Sequence, residues 1–466
     1  MFIKRIHRYA VKKLKSGAAR IYIQNSDTLR SAGLPENSLI DIEYSKNSIT
    51  IKLDENGKNK IMDTGRGALL ELKNKKTAES VGEFDFVTVT FRKGKVVISL
   101  HYADVQKLSR ERNILQAVMN GEAIRTSSFF SGLGMLSYHL KEGLKRAGID
   151  SQITFANDIC PIAMECNLSG NPMWDTASHD AFVSVDALEN LDLSELKPAD
   201  MVEVGYSCVG QSTLCKKENR DLDHPIAGTL FVKLLAALEK INPAIVVFEN
   251  TPAFVKSKTL NIIKREMKGY RFEECVFNGH EFGELEARRR VCVVAISDGL
   301  GEVNLSSVSP GDEVQHNILG DFLDPVPLDS ELWREMAHVK KKVLDPNLNY
   351  KNMLYNGTEK LIATITATYS SPKVGSPMIA HPTVDGLQRQ IKSIEHARIR
   401  LLPDRMFVAV KKIINGDTPM VSAKGSSSAA NRLLGNGVSK KLWQAIGCHL
   451  GSFLKKEILC TSEQIV

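Results

Sequence analysis

The chain has 466 residues, 43% hydrophobic and 25% charged, with 61 Lys+Arg against 54 Asp+Glu and a net charge of +7. This length suits roughly two to four domains with real cores, and the composition excludes a mostly disordered or fibrous chain. No apolar run reaches the ~18 residues of a membrane-spanning helix, so no membrane partner is expected.

The charge is unevenly spread. Residues 1–120 carry 22 Lys+Arg against 13 Asp+Glu, a net of +9, and the remaining 346 residues sum to −2. A basic module joined to a near-neutral one points to a polyanion, most simply nucleic acid; the plain alternative is a solvated surface kept for solubility. The first 26 residues hold seven Lys/Arg and no acid, which reads as a basic arm rather than a targeting segment. Eight cysteines with no Cys-x-x-Cys pair argue against a zinc ribbon or a disulfide scaffold, and for reduced thiols in a cytoplasmic protein.

In chain order, Arg20–Ile23, Leu39–Tyr44 and Ser48–Leu53 read as short strands, with a helical turn at Leu29–Leu34. Residues 54–82 are polar and turn-rich and read as a loop or linker. Phe86–Phe91 and Val96–Leu100 flank a hairpin turn at Arg92–Lys95, and residues 103–121 read as a helix. No internal repeat stands out. After Ile124 the texture becomes strand, glycine turn and helix in alternation, which predicts a parallel α/β sheet. Ligands of such sheets sit beyond the strand carboxyl ends. Gly132, Asp158, Cys208 and Glu249 all fall on that edge.

Singly, each has a modest reading. Ser131-Gly132-Leu133-Gly134 lets backbone approach a ligand but lacks the dinucleotide spacing. Asp158 and Asp186 follow strands, where an acid holds ribose hydroxyls or caps a helix. Cys208 sits in a polar, glycine-flanked loop after a buried strand, a place for a nucleophile more than for a packed thiol. Glu249 ends the most apolar strand, where burial raises a carboxyl's pKa. Arg288-Arg289-Arg290 precedes a strand, as an anion clamp or an edge guard.

Taken in order, these segments resemble the cytosine-C5 DNA methyltransferase family, from about Ile124 to about Leu454. Phe130–Gly134 is similar to its cofactor motif, Asn157-Asp158 to the second motif and Asp186 to the third. Gly205–Ser212 resembles the nucleophile loop, Glu249-Asn250-Thr251 the family's Glu-Asn-Val, and Glu286–Val291 its Gln-x-Arg-x-Arg. Glu395–Asp404 resembles the ninth motif and Leu434–Val438 the tenth.

The resemblance implies an α/β fold: a Rossmann-like, S-adenosylmethionine-dependent methyltransferase sheet with a small target-recognition domain and a β-rich accessory domain. The expected divisions are 1–120 accessory, 121–298 catalytic, 299–375 target recognition and 376–466 returning to the catalytic domain. It implies S-adenosylmethionine held by Phe130, Ser131, Gly132, Gly134, Asp158, Asp186 and Asn436. It implies Cys208 as nucleophile on a flipped cytosine of double-stranded DNA, Glu249 as the hydrogen-bonding acid, and Arg288 and Arg290 steadying the base. Residues 213–224 would close on DNA. His338, Lys340–Lys342, Tyr350 and Tyr355 would contact it. A restriction-modification setting goes with such enzymes.

The sequence departs from the pattern in places. Tyr206-Ser207-Cys208-Val209 stands where the family has Pro-Pro-Cys-Gln, which removes a backbone restraint. Glu286 replaces Gln and places a negative charge near a site for DNA. A lapsed, DNA-binding relative or an RNA cytosine-C5 methyltransferase are the alternatives. The pattern over Arg20–Leu53 resembles the AbrB-type swapped-hairpin DNA-binding fold, whose hairpins pair between chains, so a homodimer through this region is expected.

Overall fold

A computed structural model describes residues 3–211, 216–311, 314–345 and 353–463. The chain falls into two compact units, Met1–Ser109 and Arg110–Val466. The division lies inside the helix Tyr102–Met119 and not at residue 120. Arg110 explains the shift: it donates to Ser297 Oγ (2.8 Å) and to the Gly269 carbonyl (2.6 Å), both in the second unit.

The first unit is a nine-stranded antiparallel sheet. It is built twice over. Ala19–Ile23, the helical turn Ser26–Ser31 and the hairpin Leu39–Ser45/Ser48–Leu53 recur as Ala68–Asn74, Lys75–Val81 and Phe86–Arg92/Lys95–Leu100. Each helix starts from an Asn that accepts the N–H of a buried Thr, Asn25 from Thr28 (3.3 Å) and Asn74 from Thr77 (2.7 Å). Each hairpin turns through a positive φ, at Asn47 (64°) and Gly94 (68°).

The two copies pair with each other. Ala19–Ile23 runs against Ala68–Asn74 with Tyr22 opposite Glu71, and Ser48–Leu53 runs against Lys95–Leu100 with Thr50 opposite Val97. Tyr22 and Glu71 occupy equivalent places in their copies, as do Thr50 and Val97, so both pairings centre on an internal twofold. The segment Asn59–Asp63 pairs with Leu39-Ile40 on one side and Ala68-Leu69 on the other, and so closes the sheet into a barrel. Ile21, Ile49, Ile51, Val87, Phe91 and Ile98 fill its interior.

This revises three expectations. The stretch 54–82 contains strands and a helix and is not a linker. The basic arm is in part a strand, Arg5–Lys13, paired on both sides. A repeat is present, hidden because the copies share positions of burial more than residues.

The second unit is a seven-stranded sheet in the order β3-β2-β1-β4-β5-β7-β6. Its strands are β1 (Ile124–Phe129), β2 (Ser151–Asn157), β3 (Phe182–Ser184), β4 (Met201–Val204), β5 (Ile245–Asn250), β6 (Tyr270–Asn278) and β7 (Arg289–Ser297). β1 to β5 are parallel; β7 runs antiparallel between β5 and β6. β4 and β5 are buried on both faces, as the continuous apolar runs require.

Two apolar layers cover the sheet. Leu136, Leu140 and Leu144 of α1 (Met135–Arg146) pack in one layer with Leu442, Trp443, Ile446 and Leu450 of the long C-terminal helix α2 (Lys440–Glu463). A Cβ on Gly143 would meet the Gln444 carbonyl at 2.2 Å, so glycine permits this helix contact. The last segment of the chain thus covers the first strands of the sheet.

A small four-stranded sheet, Arg334–Glu335, Leu354–Tyr355, Met378–Ala380 and Leu387–Gln390, occupies the expected recognition region and continues past residue 375. His338 and Lys340–Lys342 lie on the exposed helix Ala337–Val343 beside it, and Tyr350 is outside the described residues. No helix of the described residues is long and apolar enough to cross a membrane.

Candidate active site

The parallel register of β4 and β5 brings Gly205 and Glu249 to the same edge, and antiparallel β7 starts where β5 ends, with Glu249 opposite Cys292. Three segments distant in sequence therefore deliver Cys208, Glu249, Arg288 and Arg290 to one place.

Glu249 is buried and paired with Arg290, whose Nε lies 3.0 Å from Oε1. Burial raises the Glu249 pKa, and Arg290 and Arg288 oppose that rise. Cys208 is exposed at the surface, yet enough protein surrounds it that desolvation leads in raising its pKa. The Glu249 charge adds to the rise, and Arg290 and then Arg288 reduce it. Arg288 is fully buried; its Nη2 donates to the carbonyls of Gly435 (2.8 Å) and Gly437 (2.6 Å), on either side of Asn436. It ties the tenth motif to this edge, and the burial of its charge lowers its pKa well below the usual range.

The nucleophile loop is restrained without a proline. The Tyr206 ring stacks on Phe254 (5.6 Å, 25°) and meets Phe130 edge-on (5.5 Å, 75°). Asn250 Nδ2 donates to the Tyr206 carbonyl (3.2 Å), and the Gln211 N–H closes a turn on the Cys208 carbonyl (3.0 Å). A Cβ on Gly205 would meet the Phe130 carbonyl at 2.9 Å, so only glycine fits where the loop leaves the strand. Val209 is 56% exposed. Ser212 and the first part of the expected closing loop, 213–215, lie outside the described residues; Lys216, Lys217 and Arg220 flank short helical turns.

The cofactor motif turns sharply after β1. Phe130 has φ 55°, a strained value for a residue with a side chain, and Gly132 and Gly134 also have positive φ. Asp158 accepts the Gly132 N–H (2.7 Å) and the Cys160 N–H (2.8 Å), so it shapes the loop as well as facing its open side. Burial raises its pKa, against these two bonds. A Cβ on Gly132 would point into open space, which leaves room for a ligand against the backbone. Asp186, exposed, caps the following turn through Ala187 N–H (2.6 Å), and Asn436 is exposed at the end of the helix Ser427–Asn436.

Sequence reasoning missed several residues here. Asn167 and Asn171, both buried, donate to Gly132 O (3.1 Å) and to Leu133 O and Gly134 O (3.0 Å each), and so clamp the loop. Ile159, 67% exposed, and Val185 are apolar side chains left in solvent beside Asp158 and Asp186. An apolar residue adjacent in sequence to each of these two strand-end acids is the signal that was available.

Glu203, on β4, is a further one. It is fully buried, its Oε2 has no partner, and burial raises its pKa to about 7 against Ser137 and Lys141. A carboxyl raised in the folded state stabilises fully below its ordinary pKa near 4.5 and loses that contribution as pH rises to about 7. Glu203→Gln is therefore expected to remove roughly 3 kcal/mol of stability loss across that interval. Urea unfolding at stepped pH checks it: parallel curves for the two proteins would exclude an uncompensated Glu203 charge.

The family described as C-5 cytosine-specific DNA methylase matches residues 124–452. A Type II methyltransferase of Bacillus subtilis, M1.BsuMI, is 25% identical over 218 residues, 44% of this chain and 50% of that protein. The match thus spans about half the length of that curated relative. Among solved structures, the S. pombe Dnmt2 methyltransferase is similar with a TM-score of 0.51 and 17% identity, over 72% of this chain and 99% of that one. The Entamoeba histolytica methyltransferase EhMeth is similar at 0.50 and 16%, over 72% and 98%. At those identities the likeness speaks for the fold alone.

Proposed function

The chain belongs to the C-5 cytosine-specific DNA methylase family, and from that premise we propose that it methylates carbon 5 of cytosine in double-stranded DNA. The observation that carries this reading is the meeting of an exposed thiol, a buried carboxyl and two arginines at the sheet edge next to an open glycine turn.

The turn fits S-adenosylmethionine. Backbone at Gly132 is open to a ligand, Asp158 and Asp186 are placed for hydroxyl donors, and Ile159 and Val185 offer apolar faces for a purine ring. When bound there, the cofactor supplies an electrophilic methyl group. Asn436 closes the site from the tenth motif, held by Arg288.

The target base must leave the duplex to reach Cys208, at a cost of about a few kcal/mol recovered in the pocket. The Cys208 thiolate bonds to C6 of the ring. Glu249 hydrogen-bonds the ring nitrogen and exocyclic amine, so that electron density pushed into the ring by sulfur is stabilised there, and C5 becomes the nucleophile. Arg290 holds Glu249 in place. After C5 gains the methyl group it loses its proton, the C6–S bond breaks and aromaticity returns. Because Tyr206 and Asn250 supply the restraint that proline gives elsewhere, Ser207 and Val209 are compatible with an active loop. A Type II relative makes a cytoplasmic restriction-modification setting part of this proposal.

Bisulfite sequencing of DNA from a methylation-free host that expresses the protein tests the reading. Protected cytosines in one sequence context are expected, and none with Cys208→Ala. Full conversion in both, with folded protein present, would overturn it.

A further inference from the structure

The internal twofold of the first unit makes its asymmetry measurable residue by residue. Across the hairpin ends, Arg92 lies opposite Lys95 and Lys95 opposite Lys52, with Lys93 at the tip of the turn. The twofold counterparts of Arg92, Lys95 and Lys52 are Ser45, Ser48 and Ser99, which form the matching row at the other end of the same face. One end of this face thus carries a row of cations where its twofold mate, at the other end, carries hydroxyls.

Like charges directly opposite one another weaken a sheet, and the fold answers these only at the Lys52 end, where Glu43 pairs with Lys52 and its charge also reaches Lys95. Among the described residues no carboxylate lies within ion-pairing distance of Arg92, Lys93 or Lys95; Glu43 pairs with Lys52 (2.8 Å), and Asp41 faces Lys52 in the register. The carboxylates therefore sit at one end of the row only. Between the two rows the outward positions are Thr50, Val97 and Thr90, with Glu43 beside Thr50 on the edge where it pairs with Lys52, and Thr88 continues the serine row beside Ser99. Strands lie about 4.8 Å apart, so the cations form a track roughly 10 Å long on an open face. A small anion needs converging donors; a linear, exposed track suits the repeating phosphates of a polymer.

We propose that the row Arg92, Lys93, Lys95 and Lys52 is a second docking surface for duplex DNA, gripping its phosphate backbone from a unit other than the catalytic one. The choice of duplex DNA as the polymer rests on the function proposed above.

The test is the salt dependence of full-length protein binding to a short fluorescent duplex, read by anisotropy without cofactor. The triple variant R92S/K95S/K52S, which copies the serine row, is expected to make the log–log salt slope shallower by about 3. The control K73S/K75S/K76S removes as many cations elsewhere in the unit and should leave the slope near its original value. Equal slopes for R92S/K95S/K52S and the unaltered protein would overturn the proposal, as would an equal loss in both triple variants. A loss seen only with structured RNA would assign the surface to RNA instead. Binding is read without methyl transfer, so failure of the catalytic reading leaves this outcome separately visible.

Discussion

Cys208→Ala is expected to lower methyl transfer by at least ~10⁴-fold while changing stability by less than ~0.5 kcal/mol. The two parts come from different physics. The side chain is exposed and fills no core position, so its truncation leaves no cavity. Among the described residues it is the thiol at this edge proposed to bond to C6, and neither Glu249 nor Arg290 substitutes for a thiolate. The same pocket predicts how that thiolate is tuned. Desolvation first, then the Glu249 charge, raises the Cys208 pKa, and Arg290 lowers it. Glu249→Gln should therefore move the alkylation midpoint of Cys208 to lower pH, and Arg290→Ala to higher pH, while both slow methyl transfer. Peptide-resolved iodoacetamide labelling against pH measures this without cofactor or DNA. A midpoint unmoved in both variants would mean that Cys208 does not sense the pair, and the proposed geometry would fail with it.

Much of this site was legible in the sequence because its chemistry is local in sequence. Each strand of the parallel sheet ends in a recognisable turn, and the residues proposed to face ligand follow at once: Gly132 after β1, Asp158 after β2, Cys208 after β4, Glu249 at the end of β5. What the sequence concealed depends on contacts between distant segments. The arginine that braces Asn436 is 147 residues from the carbonyl it binds. The loop restraint of Tyr206 comes from Phe254 and Phe130, and no local pattern announces that an aromatic ring has taken over from a proline. The barrel of the first unit is announced by the sequence in its first copy and in the hairpin Phe86–Leu100, but not in the strand Ala68–Asn74 and the helix Lys75–Val81. Its second copy keeps the Asn cap, the buried Thr and the hairpin turn, but differs in nearly every surface residue, and burial equivalence is invisible until strands are paired.

Glu286 shows how a residue's meaning changes with burial. From the sequence it adds negative charge near a site for DNA; in the structure its side chain is buried and faces Arg400, also buried, at 2.8 Å. Its other oxygen accepts the Ile365 N–H (2.7 Å), and Arg400 donates to the Ile365 carbonyl (3.1 Å). The charge never reaches the DNA side. Instead the pair joins the segment that leads into β7, with Arg288 just before that strand and Arg290 on it, to the segment 362–365 within the expected recognition region. Glu286→Ala would leave Arg400 buried without its partner, at an expected cost of about 3–5 kcal/mol. Replacing both partners removes the orphaned charge, so E286Q/R400M is expected to recover most of that loss, since apolar or neutral replacements of buried pairs are often close to neutral. Urea unfolding of the single and double variants forms the cycle that decides it. If Glu286→Ala unfolds within ~0.5 kcal/mol of the unaltered protein, the pair is not what holds this junction. If the double variant recovers stability but methyl transfer stays low, the ion pair sets the position of Arg288 and Arg290 rather than merely the strength of the fold.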